Sequence, residues 1–194
     1  GEGCYVKNKI GKLKYFIYLI ILSGLLSPCV ALENQTATGY IQNTTEDIET
    51  LFRNNIPLKD SIIYTQVPRG LVVSLDSLLF FDPNSDELLE CSKCLLDIIG
   101  DILLFIDKPC IIESNTQKNT YQNTCYRSDW ELTMIRAEKI ADYLIKTRKI
   151  PPEKIRAAGF GAIMPFDDNV SFKGNLNRRI DFVILNWNTP TTHP

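Results

Sequence analysis

Ser128-Asp129-Trp130-Glu131-Leu132-Thr133-Met134-Ile135-Arg136-Ala137, residues 128–137, decides how this chain folds. Ser128 followed three positions later by Glu131 is a capping box, in which each residue satisfies an amide at the start of a helix. Leu132, Ile135, Ile140 and Leu144 then continue one apolar stripe at helical spacing. A helix therefore begins here and stops before Pro151-Pro152. Arg136 falls on or beside the buried stripe. A guanidinium in that position needs an acidic partner or an anionic ligand, because an unpaired charge is costly to bury.

Beyond that helix, Lys154–Gly159 reads as a strand running into Gly159-Phe160-Gly161, a backbone that needs positive φ. A loop with Pro165 and Asp167–Asn169 follows. Asn177-Arg178-Arg179 then opens a last strand, Arg179–Leu185, whose alternation sends Arg178 and Arg179 to opposite faces. One can face a ligand while the other pairs with a carboxylate; the plainer reading gives each arginine a structural carboxylate. Toward the N-terminus, Leu71–Leu75 reads as a strand and Leu78–Phe81 as a short extended piece. Asn84 with Glu87 suggests a helix cap, and an apolar helical pattern runs to Phe105. Cys110–Glu113 is a strand, and 114–127 is a polar loop. The predicted order is β-α-β-α-β-β, an α/β (α+β) sandwich with helices on a mixed four-stranded sheet. It occupies residues 70–187. A polar linker (33–69, with a short helix near Glu46–Asn54) precedes it and a tail (188–194) follows.

Composition narrows the function. The 194 residues carry 21 Lys+Arg against 23 Asp+Glu, which argues against a phosphate-gripping nucleic-acid binder. The one histidine is His193, so histidine catalysis and histidine-ligated metal sites are not expected. No G-x-S-x-G occurs, and neither an enzyme activity nor a cofactor is expected.

Residues 1–32 carry Lys7, Lys9, Lys12 and Lys14, then an apolar run from Tyr15, then Ser27-Pro28-Cys29-Val30-Ala31. This is the order of an export signal. Three readings stand: cleavage after Ala31, lipidation of Cys29, or an uncleaved membrane anchor. Cys91, Cys94, Cys110 and Cys125 are disulfide candidates in an oxidising compartment. Cys91-x-x-Cys94 also allows a redox reading, but the pattern puts it inside a helix rather than at a helix start, where a reactive thiolate is favoured. A four-cysteine zinc site has the wrong spacing for known ribbons.

Taken in order, Leu78–Asp82, Ile112-Glu113, Trp130-Glu131-Leu132-Thr133-x-x-Arg136-Ala137, Gly159-Phe160-Gly161 with Pro165, and Asn177-Arg178-Arg179-Ile180-Asp181 resemble the OmpA-like C-terminal domain family, with Asp129–Leu132 most like its MotB branch. The resemblance implies a non-catalytic envelope domain that binds the peptide stem of peptidoglycan. It implies that Arg136 faces the carboxylate end of diaminopimelate, that Arg178 or Arg179, with Asn177, shapes the pocket, and that Thr116 sits in the turn after the strand. Where the family has Gly-His-Thr-Asp, this chain has Ser114-Asn115-Thr116-Gln117. Gln117 replaces the carboxylate that receives the ligand's ammonium, and a neutral hydrogen bond is about half as strong as a charge-assisted one. Two functions are therefore expected. One is a membrane-tethered wall anchor in the cell envelope, with peptidoglycan as partner. The other is a structural subunit of a secretion-system outer-membrane complex, type IV-like, with weakened wall binding. A proton-conducting stator is disfavoured, because Tyr15–Leu32 contains no carboxylate.

Overall fold

Gly70–Asp76 (β2) and Arg179–Leu185 (β5) pair antiparallel through the middle of the sheet, and everything else is hung on them. The computed structural model describes residues 44–58, 61–164 and 177–186. Residues 1–32, including Cys29, and the Pro165–Asn169 loop lie outside the described residues, as does the 188–194 tail.

The sheet has five strands in the order β1-β2-β5-β3-β4, with β1 spanning Ile62–Val67, β3 Cys110–Asn115 and β4 Ile155–Gly161. Only β3 and β4 run parallel, as expected for two strands joined by a helix. Among the described residues three helices complete the fold: α1 (Thr45–Asn55), α2 (Ser92–Ile106) and α3 (Asp129–Lys146). Alternation along the central strands makes two faces. Leu71, Val73, Leu75, Ile112, Ile180, Phe182 and Ile184 join buried residues of all three helices in one core. Arg179, Asp181, Glu113 and Asn115 point from the other face.

Four expectations need correction. The sheet has five strands, not four, because 33–69 is not a linker throughout: α1 and β1 fall inside it. A capping box between Thr44 and Asp47 starts α1, which buries Ile48 and Phe52. Edge strand β1 buries only Ile62 fully, so its alternation is faint in the sequence. Leu78–Phe81 is not extended: Ser77–Leu79 forms one 3-10 turn capped by Asp76, and Phe81 makes a single bridge to Leu88. Finally, α2 starts at Ser92, not near Asn84, so Cys91 occupies its N-cap.

Half of the α3 box forms as read: the Glu131 amide donates to Ser128 Oγ at 3.1 Å, but the Glu131 carboxylate accepts from the Arg127 amide at 2.7 Å, one residue before the cap. Two glycines fix how α3 lies on β4. A Cβ on Gly159 would stand 2.3 Å from the Met134 amide nitrogen, so only glycine allows this approach. Gly161 has φ +57° and its amide donates to Thr133 Oγ1 at 2.9 Å.

Candidate functional site

Arg136 is 1% exposed although it carries a full charge. The α3 stripe turns it inward beneath the 82–85 loop. Its Nε donates to the Ser85 carbonyl at 2.9 Å, and its Nη2 lies 3.0, 2.9 and 2.7 Å from the carbonyls of Asp82, Pro83 and Ser85. The guanidinium also stacks 5.2 Å from the Phe81 ring centroid. No carboxylate bonds it directly among the described residues, and buried Nη1 has no partner there. Burial pushes its pKa down to about 10, with nearby Asp86 opposing, so the group stays charged at neutral pH.

Asp86 is the acidic member of this site, and the sequence reading missed it. Burial works against its charge, but bonds from the Tyr126 hydroxyl and Lys139 outweigh that and hold its pKa below the ordinary value. Lys139 Nζ sits 3.1 Å from Asp86 and 2.7 Å from Glu87. Those bonds, Glu87 first, raise Lys139 to about 12. Burial and the bond to Asp86 raise Tyr126 to about 12. These residues are spread over more than fifty positions, so no local motif announces them; Glu87, read as a helix cap, is the only trace.

Arg178 and Arg179 part company, as alternation requires. Arg178 is within electrostatic reach of Arg136 and is neutralised by Asp76, both nitrogen–oxygen distances being 3.3 Å. Arg179 belongs to the opposite sheet face. There its Nε lies 2.9 Å from Asp181 Oδ2, and its Nη1 donates to the Met164 carbonyl at 3.1 Å. Burial raises the Asp181 pKa in spite of Arg179. Asn177 is half-buried in the turn before β5.

The turn after β3 is braced from within. Buried Thr116 donates its amide to the Gly161 carbonyl at 2.9 Å, and its hydroxyl meets that of Thr120 at 3.0 Å. The amides of Asn119 and Tyr121, which could have met an external anion, donate to Asp129 at 2.7 and 2.9 Å. Gln117 is exposed on this turn. Glu113 faces the far side of the sheet in a two-pronged pair with Arg69.

All four cysteines of the described residues are free thiols. Cys110 is buried at the start of β3, and Cys125 is exposed beyond its other end, after the Thr120–Asn123 turn. Burial also pushes the Cys110 thiol pKa strongly upward, which makes it inert. No group of cysteine, histidine or acidic residues among the described ones is placed to hold a metal.

Residues 80–179, which include Arg136, the loop over it and the entry to β5, match the profile of the OmpA family. The chain belongs to the OmpA family. It is 27% identical over 150 residues to the uncharacterized protein YtxE of Bacillus subtilis, covering 74% of this chain and 62% of that one. It is 24% identical over 148 residues to motility protein B of the same organism, covering 75% and 56%. The chain thus spans about six tenths of the length of these curated relatives. The cell wall anchor of the type VI secretion system from Pseudomonas aeruginosa shares the fold, with a TM-score of 0.59 at 21% identity over 71% of this chain and 96% of that one.

Proposed function

We propose that this OmpA-family domain is a non-catalytic anchor that holds an envelope protein or complex to peptidoglycan. The observation that carries the reading is Arg136. It is a charge kept in the interior by backbone carbonyls alone, with one amino group unpartnered and with Asp86 and Tyr126 beside it. Nε and Nη2 are taken by the 82–85 carbonyls, so a ligand carboxylate would meet Nη1, and an adjoining ammonium would meet Asp86 beside it. The diaminopimelate end of a peptide stem has that pairing. The family and its cell-wall-anchor member support the same reading. The N-terminal residues would supply the link to the membrane, through lipid on Cys29 or an apolar anchor.

A second reading, a structural subunit of a secretion-system complex with weakened wall binding, draws support from Gln117 and from the turn amides already held by Asp129. Cosedimentation of the full chain with purified sacculi separates the two. The anchor predicts retention that free diaminopimelate reverses. A folded protein left in the supernatant at every sacculus concentration refutes the anchor and leaves the subunit.

A further inference from the structure

Cys91 and Cys94 stand apart from the candidate site, and the structure puts them where the sequence pattern did not. Cys91 is the N-cap of the fifteen-residue helix α2, and Cys94 lies in its first turn. Cysteine is a poor cap: Ser, Thr, Asp and Asn are preferred because their oxygens accept from the first amides. Here the Cys91 side chain makes no cap bond, so it contributes nothing to starting the helix. It is exposed, and Cys94 is half-buried.

Helical geometry puts Cα atoms three residues apart at about 5 Å, inside the disulfide range of about 4.4–6.8 Å. Their Cβ atoms must close by about 1–2 Å, which asks for a small turn of the backbone. Cys91 itself has helical backbone angles (φ −68°, ψ −23°), and it is the first residue of the helix end, with no helical turn before it to resist that adjustment. The other two thiols cannot compete in the same way: Cys110 is sealed in the core and Cys125 lies beyond the far end of β3.

We infer that Cys91 and Cys94 form a reversible disulfide across the first turn of α2, made and broken by thiol–disulfide exchange. The oxidant is a small disulfide of the glutathione class. The Cys91 sulfur, having lost its proton, attacks one sulfur of the oxidant; that S–S bond breaks and the departing thiolate takes up a proton. The Cys94 sulfur, likewise deprotonated, attacks Cys91 in the mixed disulfide, and the second small thiol leaves with the second proton. Two protein thiols are oxidised by two electrons, and one small disulfide is reduced to two thiols. This inference is independent of wall binding.

Lys93 lies between the two cysteines, which gives a direct test. The folded full chain is equilibrated with oxidised and reduced glutathione, alkylated and cut with trypsin. The expected product is a pair of tryptic peptides, one ending at Lys93 and one beginning at Cys94, held together by a bond that dithiothreitol splits. The linked fraction should rise and fall reversibly with the glutathione ratio. A Cys110→Ala/Cys125→Ser variant should behave the same. A Cys91→Ser variant should stop at a glutathione adduct on Cys94. Independent alkylation of Cys91 and Cys94 at every ratio, or pairing of either with Cys125, overturns the inference. Circular dichroism on each sample establishes that the exchange is read in the folded state.

Discussion

Replacing Arg136 by lysine keeps the buried charge and removes the fork. Lysine has no donor at the Nε position and ends one bond short of Nη2, so the bonds to Asp82, Pro83 and Ser85 cannot all be kept. Hydrogen bonds from a charged donor contribute about 1.5–3 kcal/mol each, so losing two bounds the cost at about 3–6 kcal/mol. Asp82 and Pro83 are exposed, and their carbonyls can return to water, which brings the expected loss to about 2–3 kcal/mol. For a chain of this size, about 2–4 °C of melting temperature goes with each kcal/mol, so Arg136→Lys should melt about 5–10 °C lower. Thermal and urea unfolding of the full chain read the effect, with an unchanged urea slope showing that the unfolded state is not altered. A variant melting within about 2 °C of the parent would refute the clamp, since even one lost charged bond predicts more. It would mean that the 82–85 loop holds its place without the arginine.

Gln117→Asp restores the family carboxylate on an exposed turn. An exposed ion pair is worth up to about 1 kcal/mol, so retention on sacculi should tighten by about 5-fold, and unchanged retention would place the ligand elsewhere. Gly159→Ala pushes a Cβ to 2.3 Å from the Met134 backbone; overpacking costs about 1–3 kcal/mol, so urea midpoints should fall clearly, and an unchanged midpoint would contradict the close α3–β4 contact. Asp86 has a depressed pKa, so its contribution is present above its unfolded value of 3.8 and lost as pH falls through the lower folded value. Asp86→Asn should therefore be less stable than the parent near pH 7 and converge with it in acid; a gap that persists at pH 2 would show that its charge is not the cause.

What the sequence revealed follows from how local each signal is. The Ser128 cap of α3 and the β5 alternation are written within a few neighbouring residues, and both stand in the structure at those positions. Asn84 and Glu87 imitate the same box, yet tertiary contacts override them. The carbonyls of Asp82, Pro83 and Ser85 turn to Arg136, and the Leu89 amide bonds back to Phe80 rather than to Ser85 as a helix would demand. That displacement moved the start of α2 and hid the position of Cys91. Strand β1 escaped because an edge strand buries one face thinly, and its Thr65 and Gln66 look like linker. At the site, Arg136 was legible because a charge on an apolar stripe is conspicuous. Asp86 and Tyr126 were not, since only the folded chain brings them to it.

β5 lies between β2 and β3, although it follows both in the sequence. The sheet therefore has a gap at its centre until residues 179–185 arrive, and β1-β2 cannot meet β3-β4 before then. Contacts of such long sequence separation make closure late and comparatively slow. A chain emerging from a ribosome N-terminus first stays open until residues 179–185 are free, and only then does its keystone drop in.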